Sequence, residues 1–224
     1  EFQMGSEDGV SDETPNHIVY LDAYWIDQTE VTNAMYAKCV AAGSCKEPNN
    51  SGASSRYSYY GNSEFDNYPV IYVSWKDANH YCTWADRRLL TEAEWERAAV
   101  RREDTVSSVY FLYPWGNKID DTYANYNGNV GDTTATGSYE KGVSFYGAYD
   151  MAGNVWEWVG DWYGSDYYKN SPSSNPLGPD SGEYRVLRGG SWSNDVSALR
   201  STDRDGIDPA SALSNLGFRC SRSH

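Results

Sequence analysis

The chain has 224 residues, enough for one large domain or two small ones, and no Gly/Ser-rich or Pro-rich linker divides it. Its 18 basic and 32 acidic residues give a formal net charge of −14, which repels phosphate backbones and anionic membrane surfaces. We therefore expect no nucleic-acid partner and no membrane insertion, and the sequence contains no run of about 18 apolar residues. The 9 Trp and 20 Tyr supply the area for a sizeable core.

The first half of the chain contains most of the predicted regular structure. Short apolar alternation over residues 17–26 predicts strands. Three helices are predicted from N-cap residues, and in the third of them Thr91 is followed by Glu94 in a capping-box spacing. The predicted helices run from Thr32 to about Ala42, from Ser74 through Trp84 and from Thr91 to about Val100.

Beyond residue 100 no helical periodicity is visible. Residues 156–162 and 184–188 are short strand candidates, and residues 47–69 have the Asn, Ser, Gly and Tyr content of a long surface loop. Few helices, short strands and much loop predict an α+β domain. Function in such a domain is expected on loops that a rigid scaffold supports.

Several spaced motifs carry a resemblance that runs almost end to end. They are FQMGS (2–6), TEVTN (29–33), RRLLTEAEWE (87–96), GNVWEW (153–158), RGGSW (188–192) and GFRC (217–220). In this order they resemble the formylglycine-generating enzyme (sulfatase-modifying factor) family. The resemblance implies a C-type-lectin-like α+β fold with few helices, short antiparallel strands and much irregular loop. It also implies one domain over residues 1–224, which we expect to be a processed form or a portion of a longer protein.

Four cysteines are enough for two disulfides. Cys39 and Cys45 are close in sequence and could close a small loop, while the resemblance implies a long-range pair between Cys82 and Cys220. Two disulfides favour an oxidising compartment, so we expect an extracellular, periplasmic or cell-surface location, with a cytoplasmic one as the alternative. The spacing lacks the paired Cys-x-x-Cys pattern of a zinc site.

The chemistry of the related oxidase is missing its central residues. In that family two cysteines between the RGGS and GFRC motifs hold copper(I) and exchange with a substrate cysteine. Here the interval from Ser193 to Arg219 contains no cysteine. We therefore predict no catalytic residues, no copper, and a non-catalytic module that binds a protein or a small ligand. The alternatives are an oxidase that acts on a protein cysteine, or an accessory domain of a kinase or surface protein.

The position of the lost active site is filled by small and polar residues. They resemble the diversified positions of variable proteins of diversity-generating retroelements, which use the same scaffold and vary residues near the C-terminus. The resemblance implies a ligand-binding surface. Its candidates are Trp192, Ser193, Asn194, Asp195, Ser197, Ala198, Asp203, Asp205, Gly206, Ile207, Asp208 and Ser211.

Calcium is the metal that the resemblance implies. Family members hold structural calcium ahead of and within the GNVWEW motif, and calcium prefers oxygen ligands from Asn, Asp, Glu and carbonyl groups. One candidate site consists of Asn125, the Tyr126 carbonyl and Asp132. A second consists of Asn154, the Val155 carbonyl and Glu157. An alternative role for Asn154 and Glu157 is to satisfy buried backbone groups in an aromatic core.

Overall fold

The computed structural model describes residues 1–100 and 111–224. Its helices are α1 Asn33–Ala41, α2 Trp75–Trp84 and α3 Glu92–Ala99. Each begins after the predicted N-cap, because the side chains of Thr32, Ser74 and Thr91 accept hydrogen bonds from the N–H groups of Met35, Asp77 and Glu94. In the described ranges no helix is both long enough and apolar enough to cross a membrane.

The described ranges contain nine short strands, of which β5 is the longest. They are β1 Phe2–Met4, β2 His17–Val19, β3 Tyr24–Ile26, β4 Arg88–Leu89, β5 Trp156–Trp162, β6 Arg185–Arg188, β7 Arg204–Ile207, β8 Leu216–Phe218 and β9 Cys220–Ser223. The predicted strands at 17–26, 156–162 and 184–188 are present, the first as two separate strands. Strands β1, β4, β7, β8 and β9 were not predicted. Three helices and short strands confirm the α+β class.

The strands form three small sheets. Strands β1 and β2 pair antiparallel, and β9 lies between β3 and β4 in a second antiparallel sheet. The third sheet has the order β7-β6-β5-β8, in which β8 runs parallel to β5 and the other pairs are antiparallel. The two ends of the RGGSW-to-GFRC interval therefore join neighbours of the same strand, β5.

The aromatic residues form the core, as their number predicts. Trp158 of β5 and Phe218 of β8 are completely buried, and the Trp158 Nε1–H donates to the Val73 carbonyl at 3.1 Å. Tyr36 of α1 stacks on Tyr81 of α2 with ring centroids 5.5 Å apart, and Phe218 meets both rings edge-on. Offset and edge-to-face contacts of this kind add stability beyond the area that they bury.

Both expected disulfides are present. Cys39 and Cys45 close the turn after α1, with Cα atoms 5.2 Å apart. Cys82 of α2 is bonded to Cys220 of β9 across 138 residues of sequence, with Cα atoms 5.6 Å apart. All four cysteines of the chain are therefore bonded, and none is a free thiol.

Candidate binding surface

A buried arginine anchors the segment that follows β6, residues 189–203. Arg188 is fully buried, and its guanidinium donates to the carbonyl oxygens of Ser201 at 3.0 Å, Thr202 at 2.9 Å and Asp203. Its partner on α3 is Glu96, with a 2.6 Å contact from Nη2 to Oε2, and burial raises the pKa of Glu96 to about 7. Because these anchors are backbone carbonyls, they do not depend on which side chains residues 201–203 carry.

A second buried pair joins the same segment to α3. Arg204 Nε and Nη2 each donate at 2.7 Å to one oxygen of Glu92. Burial alone would raise the pKa of Glu92, but the Arg204 guanidinium outweighs it and lowers that pKa below its usual value. The same pair raises the pKa of Arg204. Both groups are therefore charged in the folded protein.

A third pair joins the segment to the N-terminal region. Arg200 donates from both terminal nitrogens to Glu13, at 2.7 and 2.6 Å, and the Thr202 hydroxyl adds a 2.7 Å hydrogen bond. Burial acts to raise the pKa of Glu13, but these donors lower it overall. Arg188, Arg200 and Arg204 therefore all direct their guanidinium groups toward buried glutamates.

The first turn of the segment is fixed by main-chain hydrogen bonds. The N–H groups of Asn127 and Gly128 donate to the carbonyls of Asn194 and Trp192, each at 2.7 Å. The Trp192 N–H donates to the Asn154 carbonyl at 2.9 Å. These bonds hold the backbone at 192–194 without using the side chains of Ser193 or Asn194.

Glycine is required at position 190, just before this turn. Its φ is +69°, and a Cβ there would lie 2.7 Å from the Ala198 carbonyl oxygen. The loop from 191 to 198 therefore folds back so that the Ala198 carbonyl packs against Gly190, and a side chain at 190 would displace it.

All twelve predicted ligand-binding residues lie in the described range 111–224 and are exposed or half-buried. The exposed ones are Ser193, Asp195, Ser197, Asp205 and Asp208. The half-buried ones are Trp192, Asn194, Ala198, Asp203, Gly206, Ile207 and Ser211. Their role in binding stays a prediction.

The structure divides the twelve residues into groups. Residues 192–197 form one surface with residues 127–128 and with Asn215, whose Nδ2 donates to Ser193 Oγ at 3.3 Å. Residues 205–207 lie on β7, at one edge of the four-stranded sheet. Ala198 and Ile207 pack partly against the core.

Asp203 differs from the other eleven because its side chain points toward Arg200, one of the three arginines that anchor the segment. Its Oδ1 accepts a 3.0 Å hydrogen bond from Arg200, and burial raises the pKa of Asp203 to about 6. Sequence reasoning missed the neighbours at 127–128 and 215. The Asn127-Gly128 dipeptide was a usable signal in the sequence, since this pair is typical of a tight turn. In the structure both residues have positive φ, as such a turn requires.

The second candidate calcium set fits a cation poorly. Both oxygens of Glu157 accept from Arg219, at 2.7 and 2.8 Å, and Oε2 also accepts from Trp95 Nε1 at 2.9 Å. The Asn154 Oδ1 accepts the Thr134 N–H at 2.9 Å. A carboxylate that is paired bidentately with a guanidinium has little capacity left for a metal ion. In this structure these residues satisfy buried groups, and calcium at this set stays a prediction.

The first candidate calcium set fits in part. Asn125 and Asp132 are buried together, with the Asn125 Nδ2 donating to the Asp132 carbonyl at 2.8 Å. The Asn125 Oδ1 is buried without a hydrogen-bond partner among the described residues, which makes it available as an oxygen ligand. The Asp132 carboxylate pairs with Arg56 at 3.3 Å, and the Tyr126 carbonyl accepts from Asn129. Calcium at this set stays a prediction.

Within residues 1–100 and 111–224, no group of three or more His, Cys, Asp and Glu side chains is arranged to hold a metal ion. His17, His80 and His224 lie in different parts of the fold, on β2, on α2 and after β9.

Comparison with known proteins gives two kinds of relative. The serine/threonine-protein kinase Pkn1 of Chlamydia trachomatis serovar L2 is 37% identical over 99% of this chain, which spans only 37% of that protein's length. The formylglycine-generating enzyme of Streptomyces coelicolor is 34% identical over 98% of this chain and 86% of its own.

Among solved structures, Treponema denticola variable protein 1 superposes with a TM-score of 0.80 at 26% identity, covering all of this chain and 92% of the other. The model of the sulfatase-modifying factor enzyme 1-like domain matches residues 1–224. With these motifs, this C-type-lectin-like fold and relatives of both kinds, the chain belongs to the sulfatase-modifying factor (formylglycine-generating enzyme) domain family.

Proposed function

We propose that this domain is a non-catalytic recognition module that binds a protein or small ligand through residues 192–197, 205–208 and 211. The observation that carries the proposal is the division of labour in the segment after β6. Main-chain hydrogen bonds and buried arginine–glutamate pairs hold most of the backbone, while the side chains of Ser193, Asp195 and Ser197 are exposed. Of these three side chains, Asp195 also accepts the Ser197 N–H at 2.9 Å. Loops held in this way by a rigid scaffold are suited to binding.

The competing proposal is an oxidase of a protein cysteine. The family mechanism requires a reactive pair of thiols in the interval between Ser193 and Arg219. That interval has no cysteine, and the four cysteines elsewhere are bonded in pairs. Serine and aspartate cannot exchange with a thiol or hold copper(I), so this chain lacks the groups for that reaction.

Two finer proposals follow from the relatives. The likeness to a variable protein supports a surface whose residues are diversified. The kinase relatives support an accessory role within a longer polypeptide, since the chain spans only 37% of one such protein. Both disulfides support an extracellular, periplasmic or cell-surface site of action.

A display library tests the recognition proposal. Residues 193, 194, 195, 197, 205 and 208 are randomised together, and the library is selected for folding and then for binding to an unrelated protein such as lysozyme. The expected result is that most members fold and that binders emerge. A matched library at six buried positions of β5, β8 and α2 should not fold. If the surface library fails to fold, the proposed surface is wrong.

The oxidase alternative has its own assay. The domain is incubated with copper(I), oxygen and a cysteine-containing sulfatase peptide, and the aldehyde is detected by mass spectrometry. We expect none. Aldehyde formation at a rate comparable with that of an active family member would overturn the non-catalytic proposal.

Sequencing codons 193–214 in several isolates separately tests diversification, which predicts variation concentrated at adenine-rich codons.

A further inference from the structure

A cavity lies apart from the segment at 192–214. It is a half-open cleft of about 800 Å³, bounded by β4, by β5 at Gly160 and Asp161, by the end of β9 and by the loop at 175–177. The described residues that line it include none from 192–214. Its volume falls within the range of about 300–1,000 Å³ that is usual for sites that bind small molecules.

The floor of the cleft contains a buried carboxyl group. Asp161 is 3% exposed, and its Oδ2 accepts the Glu92 N–H at 2.8 Å, at the first residue of α3. Burial, with the Glu92 charge adding to it, raises the pKa of Asp161 to about 8. The group is therefore mostly uncharged at neutral pH and can both donate and accept a hydrogen bond.

The described residues that line the cleft also include Asp22, Arg88 and Glu94. Asp22 is exposed and accepts a hydrogen bond from Asn175, whereas Arg88 and Glu94 form an ion pair. Arg88 donates from Nη1 and Nη2 to the two oxygens of Glu94, each at 2.6 Å. Arg88 also donates to Ser221 Oγ at 2.8 Å. A bidentate pair of this geometry leaves no excess charge for an ionic ligand, although the 38% exposed Arg88 side chain still presents polar atoms.

The remaining walls combine polar residues with an apolar part, which consists of Leu21, Ala23, Trp75, Leu89 and Leu177. Leu89 and the half-buried Trp75 form part of the inside, and the Trp75 Nε1–H is used by the Val159 carbonyl at 2.7 Å. At the rim Leu177 is 70% exposed. The loop that carries it is held by two 2.9 Å hydrogen bonds between Asp22 and Asn175. An apolar side chain thus stands exposed on a fixed loop at the entrance.

We propose that this cleft is a second binding site and that its ligand is a neutral saccharide of one or two rings. Its described lining residues offer hydrogen-bond donors and acceptors with no unpaired positive charge, next to aliphatic and indole surface. A sugar ring presents hydroxyl groups at its edge and C–H groups on its faces, and it needs both kinds of contact. An anionic ligand would lose its hydration here without gaining an unpaired cationic partner among the described lining residues. The inference does not depend on the recognition surface at 192–211.

The test uses ligand-observed NMR on the 224-residue chain with cellobiose, maltose and diacetylchitobiose as neutral probes and glucose 6-phosphate as the charged probe. We expect at least one neutral probe to bind at millimolar concentration and to be preferred over the phosphate. Leu177→Asp places a charge at the rim on an exposed residue and should weaken binding about tenfold or more. Leu213→Asp is the matched control, because Leu213 is 43% exposed and lies outside the cleft.

Variants of the floor add a second criterion. Asp161→Asn keeps an uncharged donor and acceptor, and it should retain binding within about threefold. Thermal unfolding of each variant checks that the fold is intact. The proposal is overturned if all neutral probes fail to bind, if the phosphate binds equally well, or if Leu177→Asp has no more effect than Leu213→Asp.

Discussion

Breaking the Glu92–Arg204 pair should cost a large part of the stability of the fold. In Arg204→Met the Glu92 carboxylate loses two 2.7 Å hydrogen bonds and keeps Arg188, at 3.8 Å, and the Tyr168 hydroxyl, at 3.3 Å. The two side chains are 2% and 0% exposed, so water cannot replace the lost partner. Removing one member of a buried pair typically costs about 3–5 kcal/mol, against a total stability of about 5–15 kcal/mol for a domain.

Urea unfolding followed by tryptophan fluorescence measures this loss, and a double-mutant cycle isolates the pair. We expect Glu92→Gln and Arg204→Met each to be strongly destabilising. The double variant should be less destabilised than the sum of the two, because it leaves no unpaired charge. Arg222→Met is the control, since Arg222 and Asp86 form an exposed pair, 66% and 89% accessible. If Arg204→Met lowers the free energy of unfolding no more than Arg222→Met does, the buried Glu92–Arg204 pair does not hold the segment as described.

Three further predictions concern stability. Burial raises the pKa of Asp161 from 3.8 to about 8, so the wild type should lose stability as pH rises from about 4 to about 8, by up to about 1.4 kcal/mol per pH unit. Asp161→Asn should lack this contribution in urea titrations across that range, and parallel pH profiles for the two proteins would contradict the assignment. Gly190→Ala should destabilise the fold more than Gly43→Ala in thermal unfolding, because φ is +69° and +71° but only position 190 has a carbonyl 2.7 Å from the new Cβ. Equal losses would show that the close approach at 190 is unimportant. Replacing Cys82 and Cys220 by Ala should cost about 5 kcal/mol of loop entropy and replacing Cys39 and Cys45 only about 2 kcal/mol, since the pairs enclose 138 and 6 residues. A reversed order in the denaturant midpoints would refute the loop-length argument.

The helices could be predicted from sequence because their signals are local. Thr32, Ser74 and Thr91 each cap the N–H groups of the residues that follow within one turn. Strand β5 could also be predicted, since Trp156, Trp158 and Trp162 are separated by even numbers of positions within its seven residues. In these elements the residues that decide the structure are neighbours in sequence.

Strands β7 and β9 could not be predicted for the opposite reason. The sequence of β7 is Arg-Asp-Gly-Ile, and it becomes a strand because β6 pairs with it and because Glu92, 112 residues away, receives Arg204. Strand β9 reads Cys-Ser-Arg-Ser and lies between β3 and β4. Their partners are distant in sequence, so no local pattern contains the information.

The candidate surface was predictable in outline from the family motifs, which delimit the segment. Which of its side chains are exposed could not be predicted. Asp203 and Asp205 look alike in sequence, yet Asp203 bonds to Arg200 while Asp205 is exposed on β7. The orientation of each depends on buried arginines whose partners come from α3 and the N-terminal region. The contributions of Asn127 and Asn215 likewise depend on hydrogen bonds across the fold.

The carbonyl anchors of Arg188 have a consequence for the kinds of substitution that the segment tolerates. Every amino acid supplies the same main-chain oxygen, so a substitution at 201–203 leaves the contacts with Arg188 available. The side chains there are constrained for other reasons, since Ser201 and Thr202 are buried and Asp203 bonds to Arg200. A substitution of Arg188, in contrast, releases three residues of the backbone at once.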